Sequence, residues 1–331
     1  MATEYSTRER KRQSHWRTSS PDLPDNARAA GAWRGRTHGW ILPIDAADHT
    51  LWAPIRAPLL AHFAANDIAW HGGDDVDYGE RATTGPSPNL MDSQVSCLNF
   101  WWGLADVSPA ALLAVVRNFA PDAAKMVSPV EGGPLMEPEW MGLDNPLKER
   151  GARRRGQYAT SADLLIAWED HAGVRHGALI ESKYSESYVS RDDRVSSRGT
   201  DRSLIYAAAA AQPWSTVSDR VPVSELIYEP FYQHLRQQLL AAAMEDAQEL
   251  GLQTVALVHV APRGNRDFHE AITAPALRGM GGSVSTVWRA MLTKPERYTS
   301  VAYEDLFTTA VHAPGTEAWA ESLRGRYGWA E

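Results

Sequence analysis

Cysteine occurs once in 331 residues, at Cys97, which excludes an internal disulfide framework and any zinc site built from several thiolates. That usage fits a reducing compartment, and a cytoplasmic location is expected. No uninterrupted apolar stretch reaches the ~20 residues that a membrane span requires, and the N-terminal segment is charged where a secretory signal would be apolar. Neither export nor a membrane partner is expected. Lysine is scarce, at positions 11, 125, 148, 183 and 294 only, so nearly all positive charge is arginine and each lysine calls for a reason. Basic residues number 33 against 41 acidic ones, and the net charge of -8 argues against a protein that coats nucleic acid without a dedicated site. A phosphate-cradling Walker loop and a nucleophile elbow are also missing, which leaves ATP-driven translocation and serine hydrolysis without support.

What is present is the composition of a folded chain, 44% hydrophobic and 22% charged, long enough for one large domain or two ordinary ones. Residues 1–25 carry Arg8, Arg10, Lys11, Arg12 and Arg17 against Glu4 and Glu9 with no apolar period, and are expected to form a flexible basic arm. Residues 26–90 form a Trp-rich lead-in with one amphipathic stretch, Pro54 to Ala65. Asp92 can cap a helix through Trp102, and Ser108 with Pro109 starts another through Phe119. Two strand-like runs, Asp163 to Trp168 and Ala178 to Tyr184, flank a polar turn containing Gly173 and predict a hairpin. A helix from about Pro230 to Leu250, stopped by Gly251, and a strand from Thr254 to Val260 follow. Residues 91–262 are thus the expected core, and 263–331 a mostly helical C-terminal extension.

The hairpin carries the chemistry. A turn centred near residue 172 places Asp163 opposite Glu181, whereas a centre at Gly173 places it opposite Lys183 with Glu181 on the diagonal. The face is the same in both cases, because Glu181 and Lys183 point one way while Ser182 points the other. Two adjacent carboxylates repel each other, and a divalent cation with oxygen ligands relieves the repulsion. Magnesium retains waters, and one of these, oriented by an ammonium, can attack phosphorus. The bland alternative is a surface ion pair: Glu-x-Lys arises by chance and recurs as Glu9-Arg10-Lys11. Against it, Ala178, Leu179 and Ile180 lead the strand into a core, where a charged end is costly unless paired.

The order Asp163, then Glu181-Ser182-Lys183 after an apolar strand, then a helix and a further strand resembles the PD-(D/E)XK nuclease superfamily. The segments Thr160-Ser161-Ala162-Asp163, Leu179 to Glu186 and Tyr228-Glu229-Pro230-Phe231-Tyr232 resemble a family of bacterial proteins described as restriction endonucleases. Ile68-Ala69-Trp70-His71, Ser93-Gln94 and Asn99-Phe100 extend that similarity, which covers roughly Ile68 to Leu252. The resemblance implies an α/β restriction-endonuclease-like core, a central mixed β-sheet flanked by helices, with N-terminal and C-terminal extensions. It implies Asp163 and Glu181 as metal ligands, Lys183 as the catalytic lysine, Mg2+ as cofactor with Mn2+ able to substitute, and a role in restriction or defence.

The superfamily often adds an acid before the aspartate, and Glu131, Glu137, Glu139 and Glu149 compete for that place, with Glu139 favoured. Glu186 can reach the metal through water or stand as an exposed charge. The run Lys148 to Arg155 has five basic residues and one acid, and Arg153, Arg154 and Arg155 are expected to contact phosphates. Gln94 is a further candidate contact to nucleic acid or to an active-site residue. The loop with Arg191, Arg194, Arg198 and Arg202 reads equally as a DNA clamp or a solvated loop, and Gln233, Arg236 and Gln237 as a polar helix face. His71-Gly72-Gly73-Asp74-Asp75 reads as a turn in preference to a metal site. The expected partner is DNA, duplex in preference to RNA, and a homodimer is left open. Magnesium-dependent DNA cleavage is the leading expectation. A nucleic-acid-binding protein with this fold and no turnover is the main alternative, and hydrolysis of a smaller phosphoester comes third.

Overall fold

The computed structural model describes residues 3–71, 85–151, 153–157, 159–195 and 201–329. Helix α1 (Glu4–Ser19) is followed by a small hairpin of β1 (Gly31–Trp33) and β2 (Arg36–His38), and then by α2 (Ala53–Ala65). Next come α3 (Ser93–Val107), α4 (Pro109–Val116), β3 (Ala123–Val127), β4 (Met136–Trp140), β5 (Ala162–Asp170) and β6 (Arg175–Ser182). Helices α5 (Arg202–Ala210) and α6 (Phe231–Asp246) precede β7 (Thr254–Ala261). The chain continues through α7 (Arg266–His269), α8 (Val284–Ala290), β8 (Tyr298–Ala302), α9 (Tyr303–Ala310) and α10 (Glu317–Tyr327).

Local chemistry sets several of these boundaries. The Asp92 carboxylate accepts the Val95 N–H at 3.0 Å and starts α3; Ser108 Oγ accepts the Ala111 N–H at 3.2 Å and starts α4 behind Pro109. Between β5 and β6, Asp170 Oδ1 accepts the Ala172 and Val174 N–H groups at 2.8 and 2.9 Å, while Gly173 takes the φ of +78° that the tight turn needs. The resulting register pairs Leu164 with Ile180 and Ile166 with Ala178, and one more step puts Asp163 opposite Glu181.

This hairpin is the middle of a six-stranded mixed sheet of order β3-β5-β6-β7-β8, with β4 also paired to β5. Strands β3 and β4 share the outer edge of β5 in antiparallel fashion, whereas β6, β7 and β8 run parallel. One face, through Leu164, Ile166, Ala178, Ile180, Val258 and Val260, packs against α3, α4, α9 and α10. The other, through Leu165, Ala167, Leu179, Val255 and Leu257, packs against α6 and α8. This is an α/β fold with a helix-flanked sheet, as the sequence predicts.

Two expectations need correction. The expected flexible arm at 1–25 contains α1, whose inner face sets polar Glu9 and Gln13 between buried Tyr5 and Trp16: Gln13 Nε2 donates to Tyr184 Oη at 2.7 Å and to the Arg326 carbonyl at 3.1 Å. A helix docked through hydrogen bonds leaves no apolar period to read. The expected C-terminal extension supplies β8 to the sheet and buries Tyr303, Phe307, Trp319 and Leu323 in the core, so it is part of the same body. No helix among the described residues is long and apolar enough to cross a membrane.

Candidate metal centre and active site

Asp163 stands near the start of β5, Glu181 near the end of β6, and Lys183 just beyond it, where its backbone N–H continues the parallel ladder to the Val260 carbonyl at 2.8 Å. Asp163 Oδ2 accepts the Ser182 N–H at 2.7 Å, which locks the two strand ends together. All three side chains are buried. Lys183 Nζ lies 2.5 Å from Glu181 Oε1. Glu181 also accepts from Gln233 Nε2 at 2.7 Å and from Gln237 Nε2. The polar face of α6 is therefore a clamp on Glu181, and Gln237 reaches on to the Ser161 carbonyl at 3.0 Å.

Glu139 joins this group from β4. It lies between the pairs Pro138–Leu164 and Trp140–Ala162 with a φ of 50°, a conformation that costs a non-glycine residue on the order of 1 kcal/mol and aims its side chain into the site. Its carboxylate accepts from Gln94 Nε2 at 2.6 Å and from Ser161 Oγ at 3.0 Å, and His71 Nε2 lies 3.5 Å from its Oε1. His71, Glu139 and Asp163 each present one ligand atom, all within 4.8 Å of one another.

Burial, then the Glu181 and Glu139 charges, push the Asp163 carboxyl well above the usual carboxylate range. Burial also raises Glu139, against the pull of His71. Burial opposes the charge on Lys183, but Glu181 and the surrounding acids outweigh it and hold the ammonium well above its ordinary value. Three buried carboxylates face a single buried ammonium, and a divalent cation with oxygen and imidazole ligands fits that imbalance.

Gln94 joins the cluster through Glu139 and His71, and the basic candidates lie elsewhere. Gln94, considered as a nucleic-acid contact, is 2% exposed and spends its amide on Glu139, the His71 N–H and the Ala69 carbonyl. Arg153 donates to the Met141 carbonyl, Arg155 to the Pro138 carbonyl and to Glu137 at 2.9 Å, and Arg154 to the Asp67 carbonyl with an ion pair to its carboxylate at 3.0 Å. Arg153 and Arg155 thus serve the fold, whereas Arg154 makes an exposed pair with Asp67. Glu186 accepts the Tyr184 N–H at 2.7 Å and adds to the field on Lys183. Of the competing acids, Glu137 is tied to Arg155, Glu149 accepts from Thr160 and Tyr206, and Glu131 is exposed.

In the arginine loop, Arg191 and Arg194 pair with Asp193 and Asp192; Arg198 lies outside the described residues, as do residues 72–75. His71 itself, set aside as part of a turn, faces the cluster, and its signal was the segment Ile68 to His71 rather than the glycines that follow.

A family model described as Restriction Endonuclease associating with ARP matches residues 10–328. No curated protein and no solved structure matches the chain.

Proposed function

The chain belongs to the family of restriction endonucleases associating with ARP, and on that premise we propose that it is a metal-dependent DNA endonuclease working at the Asp163, Glu139, Glu181 and Lys183 cluster. The observation that carries the reading is the gathering of three buried carboxylates from β4, β5 and β6, one of them paired with a buried ammonium. Asp163, Glu139 and His71 would hold the cation, with Glu181 beside them. When bound, a divalent cation supplies Lewis acidity to a phosphoryl oxygen and a more acidic bound water.

The chain's own groups do the rest. Lys183 stays cationic because its surroundings favour the ammonium, so it acts by charge and hydrogen bonding on a phosphate oxygen or the attacking water, and not as a general base. Glu181, gripped by Gln233 and Gln237, fixes where that ammonium points. Gln94 and Ser161 hold Glu139 in its strained position. The test is incubation of the purified chain with supercoiled plasmid in Mg2+, in Mn2+ and in EDTA. Nicked or linear product in either metal and none in EDTA is expected; binding without cutting in both metals would leave the nucleic-acid-binding reading in its place.

A further inference from the structure

A cleft of about 550 Å³ lies between α1 and the loop that follows β7, at the same C-terminal edge of the parallel strands from which Lys183 emerges. Arg8 and Arg12 of α1 and Arg263 and Arg266 beyond β7 line it, against Glu9 and Glu304. We propose that this cleft binds the phosphate backbone of duplex DNA and presents the strand to the neighbouring carboxylates; the inference rests on the nuclease reading above.

In a chain of net charge -8, four arginines on one cleft are a local reversal of sign. Guanidinium forks suit phosphate oxygens better than ammonium groups do. Arg266 is exposed and has no side-chain partner among the described residues. Arg263 pairs with Asp305 at 2.5 Å with both side chains exposed, whereas Arg8 and Arg12 pair with the buried Glu9 at 3.2 and 3.4 Å. The exposed Arg263–Asp305 pair is worth little, so a phosphate can replace that carboxylate at small cost.

The cleft is also built into the catalytic strand exit. The loop backbone comes close to α1 at Gly264, where a side chain would sit 2.9 Å from the flexible end of Arg8 and 3.3 Å from the Tyr5 ring. Tyr184, the neighbour of Lys183, donates its hydroxyl to Glu9 at 3.0 Å. Asn265 Nδ2 donates to the Tyr184 and Glu186 carbonyls at 3.3 and 3.0 Å. Cleft wall and lysine strand therefore share one rigid set of contacts. Arg153 and Arg155 are spent on the Met141 and Pro138 carbonyls and on Glu137.

The experiment is a salt titration of binding to a short labelled duplex, in an Asp163→Asn background that keeps the DNA intact. Arg263→Ala with Arg266→Ala should lower the slope of log affinity against log salt by roughly 1.8, about 0.9 per lost phosphate contact, and weaken all sequences alike. Arg266→Glu alone, at an exposed side chain with no polar partner among the described residues, should weaken binding in the same direction. Lys125→Ala, at the far end of the sheet beside the hairpin turn, should leave the slope unchanged. A steep slope in the parent that neither arginine variant alters overturns the cleft and leaves the nuclease reading standing. A parent that does not bind duplex at all overturns both.

Discussion

Gln94 Nε2 lies 2.6 Å from Glu139 Oε1, while Gln94 Oε1 accepts the His71 N–H at 2.8 Å, so one buried amide fixes two of the three groups poised to hold a cation. Outer contacts of this kind orient ligands, and their loss typically costs about 10- to 100-fold in metal affinity. Gln94→Ala should weaken Mn2+ binding by that amount in calorimetric titration. An unchanged affinity would show that Glu139 needs no such support.

His71 gives the cluster a nitrogen donor, and imidazole suits transition cations where Mg2+ prefers oxygen and water. The chain should therefore bind Mn2+ more tightly than Mg2+. His71→Ala should cost at least about tenfold in Mn2+ affinity, on the order of 1.4 kcal/mol, and change Mg2+ affinity little. Nitrogen hyperfine coupling in the Mn2+ electron paramagnetic resonance spectrum, present in the parent and lost in the variant, checks the contact; its absence in both would remove His71 from the ligand set.

Tyr184 joins α1 to the core, donating to Glu9 and accepting from Gln13, all buried. Tyr184→Phe removes one hydrogen bond from each partner, leaving Glu9 its pair with Arg8 and Gln13 its bond to the Arg326 carbonyl, and should cost about 1–3 kcal/mol in urea unfolding. A change near zero would indicate that α1 is not held through these bonds.

Glu245 gives a pH signature away from the site. Burial raises its carboxyl, but the Arg297 hydrogen bonds, at 2.7 and 3.2 Å, and the Val255 N–H at 3.0 Å outweigh burial and hold it below its ordinary value. A carboxylate lowered on folding contributes stability above its unfolded value, and that contribution is lost as pH falls through the folded one. Glu245→Gln should destabilise by on the order of 1 kcal/mol at neutral pH, and the difference from the parent should close as the solution is acidified below about pH 4.5. Urea melts at several pH values check it, and a difference that grows on acidification would contradict the sign.

The hairpin was readable because two apolar runs, Leu164 to Trp168 and Ala178 to Ile180, flank a polar turn; the register stayed open in the sequence between Glu181 and Lys183 opposite Asp163, and the folded turn sets it on Glu181. The caps at Asp92 and Ser108 were readable because their chemistry is local. Amide side chains are different. Gln94, Gln233 and Gln237 carry no periodic signal, and only the tertiary fold turns them onto Glu139 and Glu181. The Arg153 to Arg155 run shows the converse: a linear charge count gives no direction, and these guanidiniums bond backbone carbonyls. Helix α1 was hidden because Glu9 and Gln13 dock it through polar contacts.

The central claim is that the carboxylate cluster is the seat of metal-dependent DNA cleavage, and plasmid cleavage by the parent beside Asp163→Asn tests it most directly. The substitution keeps shape while removing one ligand charge, so circular dichroism should be unchanged. The account predicts that the parent converts supercoiled plasmid in Mg2+ or Mn2+ and that Asp163→Asn leaves it intact under the same conditions. Equal cleavage by both proteins, or cleavage by the parent that persists in EDTA, would contradict it.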